Sequence, residues 1–116
     1  ASVLAMMNEY KSAAKYWEKY LESDPQNLEG TTSLMLAYLH RGEYVKAVGA
    51  IRSHVAVDTN QVTMYMMLGD YFRTQQKPFD AENAYQQVAA LGKGIQNPSE
   101  RIKNIIAAAQ KRIDSR

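Results

Sequence analysis

The sequence predicts an all-α fold assembled from repeated helix pairs, and three observations carry that prediction. The first is self-similarity at a spacing of 34 residues. Asn8-Glu9-Tyr10, Gly42-Glu43-Tyr44 and Gln76-Lys77-Pro78 hold equivalent positions, and Ala13, Ala47 and Ala81 follow each at the same distance. The second is apolar periodicity in steps of three and four, the mark of one buried helix face. The third is the scarcity of breakers, with three prolines and six glycines in 116 residues. One domain of this length buries a continuous core.

Further columns hold size and polarity at the same spacing. Leu4, Tyr38 and Phe72 form one, and Trp17, Ile51 and Tyr85 another. Asp24 and Asp58 pair, with Gly92 in the third copy. The first copy covers residues 1–27. Asn8 stands in the column of Gly42, which predicts a turn there, and Pro25 in ESDPQN disfavours helix at Asp24. The second copy, 28–61, places Leu34, Met35 and Tyr38 on a first helix. Tyr44, Ala47, Val48, Ile51 and Val55 fall on the second. Gly42 lies between them, where glycine accepts the left-handed conformation that ends a helix. VDTNQ at 57–61 is a looser link to the third copy.

The third copy, 62–95, repeats the plan with Tyr65, Leu68, Gly69 and Phe72, then Phe79, Ala81, Ala84, Tyr85 and Val88. Gln76 is a poorer turn residue than Gly42, and Pro78 suits the first position of a helix. LGKG at 91–94 supplies the stop. Residues 96–116 lead through Asn97-Pro98 into a last helix with Ser99 as N-cap and Glu100 in its first turn. Ile102, Ile105, Ile106, Ala109 and Ile113 line its apolar face, as a helix that caps an exposed core requires.

These residues resemble the tetratricopeptide repeat family, whose unit is 34 residues folded as two antiparallel helices. The second copy matches with Leu34, Tyr38, Gly42-Glu43-Tyr44 and Ala47. The third matches with Tyr65, Leu68, Gly69, Phe72, Ala81 and Tyr85, and the first with Leu4, Asn8-Glu9-Tyr10, Ala13, Trp17 and Pro25. The resemblance covers about residues 1–94 and implies a right-handed α-solenoid with a C-terminal capping helix. Met35, Tyr20, His54 and Val88 are larger than the family pattern prefers, so the curvature is expected to depart from the family's.

Charge excludes some functions. The net is +2, and residues 93–116 carry six basic and two acidic groups, leaving −2 on residues 1–92. A short basic end of this kind reads as a solvated helix face rather than a nucleic-acid footprint. With no cysteine there are no disulfides or thiolate metal sites, and the compartment, cytoplasmic or periplasmic, stays open. No apolar run approaches the roughly 18 residues that cross a membrane. The opening ASVLAMMNEY is already in helical rhythm, which suggests a piece of a longer protein.

No reaction is legible. His40 and His54 are the only histidines, and neither belongs to a metal-ligand spacing; they read as one surface and one packed residue. No nucleophile motif is present, and GKG at 92–94 lacks the context of a phosphate loop. An enzyme is not expected, nor a cofactor or a metal. Tyr10, Tyr38, Tyr44, Tyr65 and Tyr85 fall in packing columns rather than on a base-stacking platform.

The resemblance implies a partner-binding groove lined by the first helix of each copy. On this chain the lining positions are Ser2 and Ala5, then Glu29, Thr32, Leu36 and Leu39, then Thr63, Met66, Asp70 and Arg73. Leu36, Leu39 and Met66 are apolar and outside the packing columns, so they are expected to be exposed anchors. Asp70 and Arg73, three apart, are expected to pair with each other or to orient a polar ligand. Ser2, Ser33, Thr63 and Met67 stand where some members of the tetratricopeptide repeat family clamp a carboxylate with cations and amides, so that clamp is not expected. The first expectation is therefore a protein–protein interaction module. The alternative is a structural or oligomerisation segment, self-associating through an end formed by Leu4, Met6 and Met7. A nucleic-acid contact through the basic C-terminal helix is the remotest reading.

Overall fold

The computed structural model describes residues 3–54 and 58–115, and among them the fold is all-α, with six helices and no strand. In chain order these are α1 (Val3–Ser23), α2 (Leu28–His40), α3 (Tyr44–His54), α4 (Asp58–Thr74), α5 (Pro78–Lys93) and α6 (Glu100–Asp114). They divide into two compact units, residues 1–56 with α1–α3 and residues 57–116 with α4–α6. The expectations placed on Ser2 and Val55, and on the side chains of Leu4, Ala5 and His54, lie outside the described residues.

In the first unit α2 packs between α1 and α3. A Cβ at Gly30 would meet Leu21 and Trp17 of α1, while the Tyr10 ring stacks on His40 at 4.6 Å. The start of α2 thus faces the end of α1, and the two run antiparallel. Leu34, Met35, Ala37, Tyr38 and Leu39 are buried, as are Ala14 and Leu21 on α1 and Ala47, Ala50 and Ile51 on α3. Asn27 caps α2: its Oδ1 accepts from the Gly30 N–H at 2.7 Å, and its Nδ2 donates to Asp24 Oδ2.

The first copy departs from expectation. α1 is one helix of 21 residues that runs through Asn8, where a turn was predicted. Residues 3–23 hold no glycine or proline, so nothing interrupts the i→i−4 ladder, and asparagine tolerates αL without requiring it. The helix stops where Pro25 was expected to stop it, after Ser23.

In the second unit α4 and α5 pair antiparallel, and α6 returns along α5 while also touching α4. Asp70 and Arg112, both late in their helices, meet at 3.2 Å, so α4 and α6 run parallel. The core holds Val62, Met64, Tyr65, Leu68 and Phe72 of α4, Ala81, Ala84, Tyr85 and Val88 of α5, and Ile102 and Ala109 of α6. Pro78 opens α5, and Ser99 caps α6, its Oγ accepting from Ile102 N–H at 3.2 Å. α4 begins at Asp58, ahead of the predicted start at 62, because no proline follows Asp58 as Pro25 follows Asp24. Phe79, predicted for the buried face of α5, is 80% exposed. It lies in the first turn, where the buried face begins only at Ala81.

The two interhelical turns are copies at the 34-residue spacing. Glu43 N–H donates to Tyr38 O, and Lys77 N–H to Phe72 O, both at 2.9 Å. Gly42 donates to Leu39 O at 3.0 Å and Gln76 to Arg73 O at 3.1 Å. Gly42 and Gln76 share positive φ, at 76° and 58°. Carbonyls left open at each helix end are satisfied in the same way despite different side chains.

Candidate partner-binding surface

On α2, residues 29, 32, 36 and 39 follow steps of three and four and so share one helix face. Glu29 is exposed, Thr32 and Leu36 are partly buried, and Leu39 is buried at 1% exposure. Leu39 is therefore a core residue rather than an exposed anchor. Ala37 and Tyr38 beside it are buried as well, while the Leu39 carbonyl accepts from the N–H of the exposed Gly42. The Thr32 hydroxyl donates back to Leu28 O at 2.8 Å, so it folds onto its own helix.

On α4, residues 63, 66, 70 and 73 form the equivalent row. Thr63, Met66 and Asp70 are partly buried and Arg73 is exposed. Thr63 repeats the habit of Thr32, donating to Thr59 O at 3.2 Å. Asp70 does not pair with Arg73. Its Oδ1 accepts from the Tyr85 hydroxyl at 2.6 Å and faces Arg112 Nε at 3.2 Å. The Arg112 contact is an ion pair by distance and charge, without the N–H alignment of a hydrogen bond. The Arg112 guanidinium also lies 5.7 Å from the Tyr85 ring centroid.

Asp70 is thus a tie between three helices. Two sequence positions limited its legibility: Tyr85 falls in a column with Trp17 and Ile51, which marks the ring and not the hydroxyl, and Arg112 lies outside the repeats. Burial, and then the bond to Asp70, push the Tyr85 hydroxyl up to about 12. Gly69 makes room for this arrangement, since a Cβ there would lie 2.6 Å from the Tyr85 ring.

The first unit has its own buried tyrosine. Burial, followed by a hydrogen bond to Glu18 of α1, pushes Tyr38 up to about 12. Beside it Arg41 and Lys46 approach Glu43 at 3.1 and 3.8 Å, and Lys46 Nζ lies 5.9 Å from the Tyr38 ring centroid. These charges hold the α2–α3 turn and leave the α2 face to Glu29, Thr32 and Leu36.

Among the described residues no cluster of His, Asp and Glu is placed to hold a metal, and no helix is long and apolar enough to cross a membrane. No protein-family model, curated protein or solved structure matches the chain.

Proposed function

We propose that the chain is a protein–protein interaction module of the tetratricopeptide type, a right-handed α-solenoid whose first helices receive a peptide or a partner protein. The observation that carries this reading is the equivalence of the two interhelical turns at 34 residues, down to the left-handed residue at Gly42 and Gln76. A chain that repeats one helix pair presents the corresponding face of α2 and α4 twice. Leu36 and Met66 are the apolar anchors of that reading, both partly exposed, and Glu29 and Arg73 supply charges of opposite sign. Methionine adapts its shape to a partner surface. The binding mode is peptide-in-groove recognition, with no chemistry performed on the partner.

The test is recovery of partners by the wild type and by the double variant Leu36→Glu, Met66→Glu, with circular dichroism as the folding control. The proposal expects the double variant to lose partners by at least about tenfold, as burial of two charges in an apolar contact would cause. Undiminished recovery by a folded double variant refutes it.

A second reading, self-association, has one observation in its favour. Met6 and Met7 are 43% and 37% exposed on α1, and Tyr16 is 61% exposed on the same helix. Light scattering decides it: a dimer that Met6→Lys abolishes supports self-association, and a monomer at high concentration removes it.

A further inference from the structure

The helices that close the three copies, α1, α3 and α5, carry equivalent positions with unequal burial. Ala47 and Ala81 are buried, as are Ala50 and Ala84, and Ile51 and Tyr85. Their counterparts at the 34-residue spacing on α1 are Ala13, Tyr16 and Trp17. Ala13 and Trp17 are only partly buried, and Tyr16 is 61% exposed where Ala50 and Ala84 are 5% and 4% exposed. Tyr20 is 38% exposed where Val88, two copies on, is 0% exposed. Residues 13, 16, 17 and 20 share one face of α1.

The difference lies in what packs on each helix. α2 lies on α3, and α4 lies on α5. α1 is one helix, so residues 3–8 prolong it and do not fold back on it. α2 covers another side of α1, where Leu21 and Ala14 are buried and Gly30 meets Leu21 and the edge of Trp17. What remains is a surface of three rings. Trp17 meets Tyr16 and Tyr20 edge-on at 5.0 and 5.5 Å, and Tyr16 and Tyr20 stack at 6.4 Å. Lys19 and Glu22, of opposite sign, lie in the shallow depression that Tyr16 and Tyr20 line.

We propose that this face of α1 seats an amphipathic helix of another protein, built like α4. The other two copies define the occupant, because the equivalent face of α3 is covered by α2 and that of α5 by α4. Those covering helices carry Leu34, Met35 and Tyr38, or Leu68, Gly69 and Phe72, in equivalent places. Trp17 selects between the two patterns. It is a ring, like Tyr85 and unlike Ile51, and a Cβ at Gly69 would already lie 2.6 Å from the Tyr85 ring. The incoming residue that faces Trp17 is therefore small, with an apolar residue before it and an aromatic one three residues after it. The opposite charges of Lys19 and Glu22 offset each other, so apolar burial sets the affinity and salt has little effect. A second copy of this chain does not supply the helix, since Leu34 of α2 and Leu68 of α4 are already buried within their own units. The α1 face shares no residue with the α2 and α4 faces, so each proposal can fail alone.

The test uses the α4 sequence, residues 58–74, as a fluorescein-labelled peptide titrated against the full chain by anisotropy. Saturable binding is expected, with little salt dependence. The chain carrying Tyr16→Glu, Tyr20→Glu, its folding checked by circular dichroism, should bind at least about tenfold more weakly. Independently of that variant's folding, the same peptide carrying Gly69→Leu should bind the wild type about tenfold more weakly, because the added side chain meets Trp17. The chain carrying Leu36→Glu, Met66→Glu should bind the unaltered peptide as the wild type does. No binding, binding undiminished by either the tyrosine or the glycine change, binding lost with Leu36→Glu, Met66→Glu, or a dimer in light scattering that Tyr16→Glu dissolves would each overturn the proposal.

Discussion

Gly42 and Gln76 hold the same left-handed backbone at the same point of the repeat, yet only one of them is glycine. For a side chain with a Cβ this conformation costs about 1–2 kcal/mol. Gln76→Gly is therefore expected to raise stability by about 1 kcal/mol, and Gly42→Ala to lower it by a similar amount, although open space surrounds Gly42. Urea unfolding of both variants checks the pair. Tyr85 is the other residue whose environment is specific. Its folded hydroxyl titrates near 12 against about 10 when unfolded, so the contribution is complete below pH 10. Above pH 10 the unfolded chain loses the proton first, and stability falls through about pH 12. Tyr85→Phe removes the bond to the partly exposed Asp70 and is expected to cost about 1 kcal/mol at neutral pH. It should also flatten the decline above pH 10, leaving the part due to Tyr38. An unchanged alkaline slope in Tyr85→Phe would reassign that decline to other groups.

At the scale of elements, what was legible followed from local rules. Pro25, Pro78 and Ser99 set the end of α1 and the starts of α5 and α6 through backbone geometry that needs no distant partner. The buried columns Ala47/Ala81, Ile51/Tyr85 and Tyr38/Phe72 appeared because a repeat writes its packing into a fixed spacing. Positions whose outcome depends on long-range neighbours did not appear. Asn8 is a turn residue only if something forces the turn, and α1 continues instead. Phe79 looked apolar and buried, but it precedes the first buried residue of its helix. Of the candidate surface, the two helix faces were readable from spacing, whereas the burial of Leu39 and the capture of Asp70 by Tyr85 and Arg112 depend on tertiary contacts. Close packing of α4 on α5 has its own test. Gly69→Ala sets a methyl against a Tyr85 ring that Asp70 anchors, and overpacking of this kind costs about 1–3 kcal/mol. Thermal melts of Gly69→Ala beside Gly49→Ala, where nothing lies within 4 Å, separate that cost from helix propensity. A loss confined to Gly69→Ala is expected.

For the molecule as a whole, the fold is all-α, and the proposed role rests on the faces of α2 and α4. The candidate contacts are modest side chains on α2 and α4, with Thr32 and Thr63 folded onto their own backbones and Leu36 and Met66 as the apolar points. Amide hydrogen exchange of the chain, alone and with a captured partner, tests the central claim most directly, because protection reports which helices a partner covers. The account predicts added protection on residues 29–39 of α2 and 63–73 of α4. Protection confined to α1 and α3, with α2 and α4 unchanged, would contradict it.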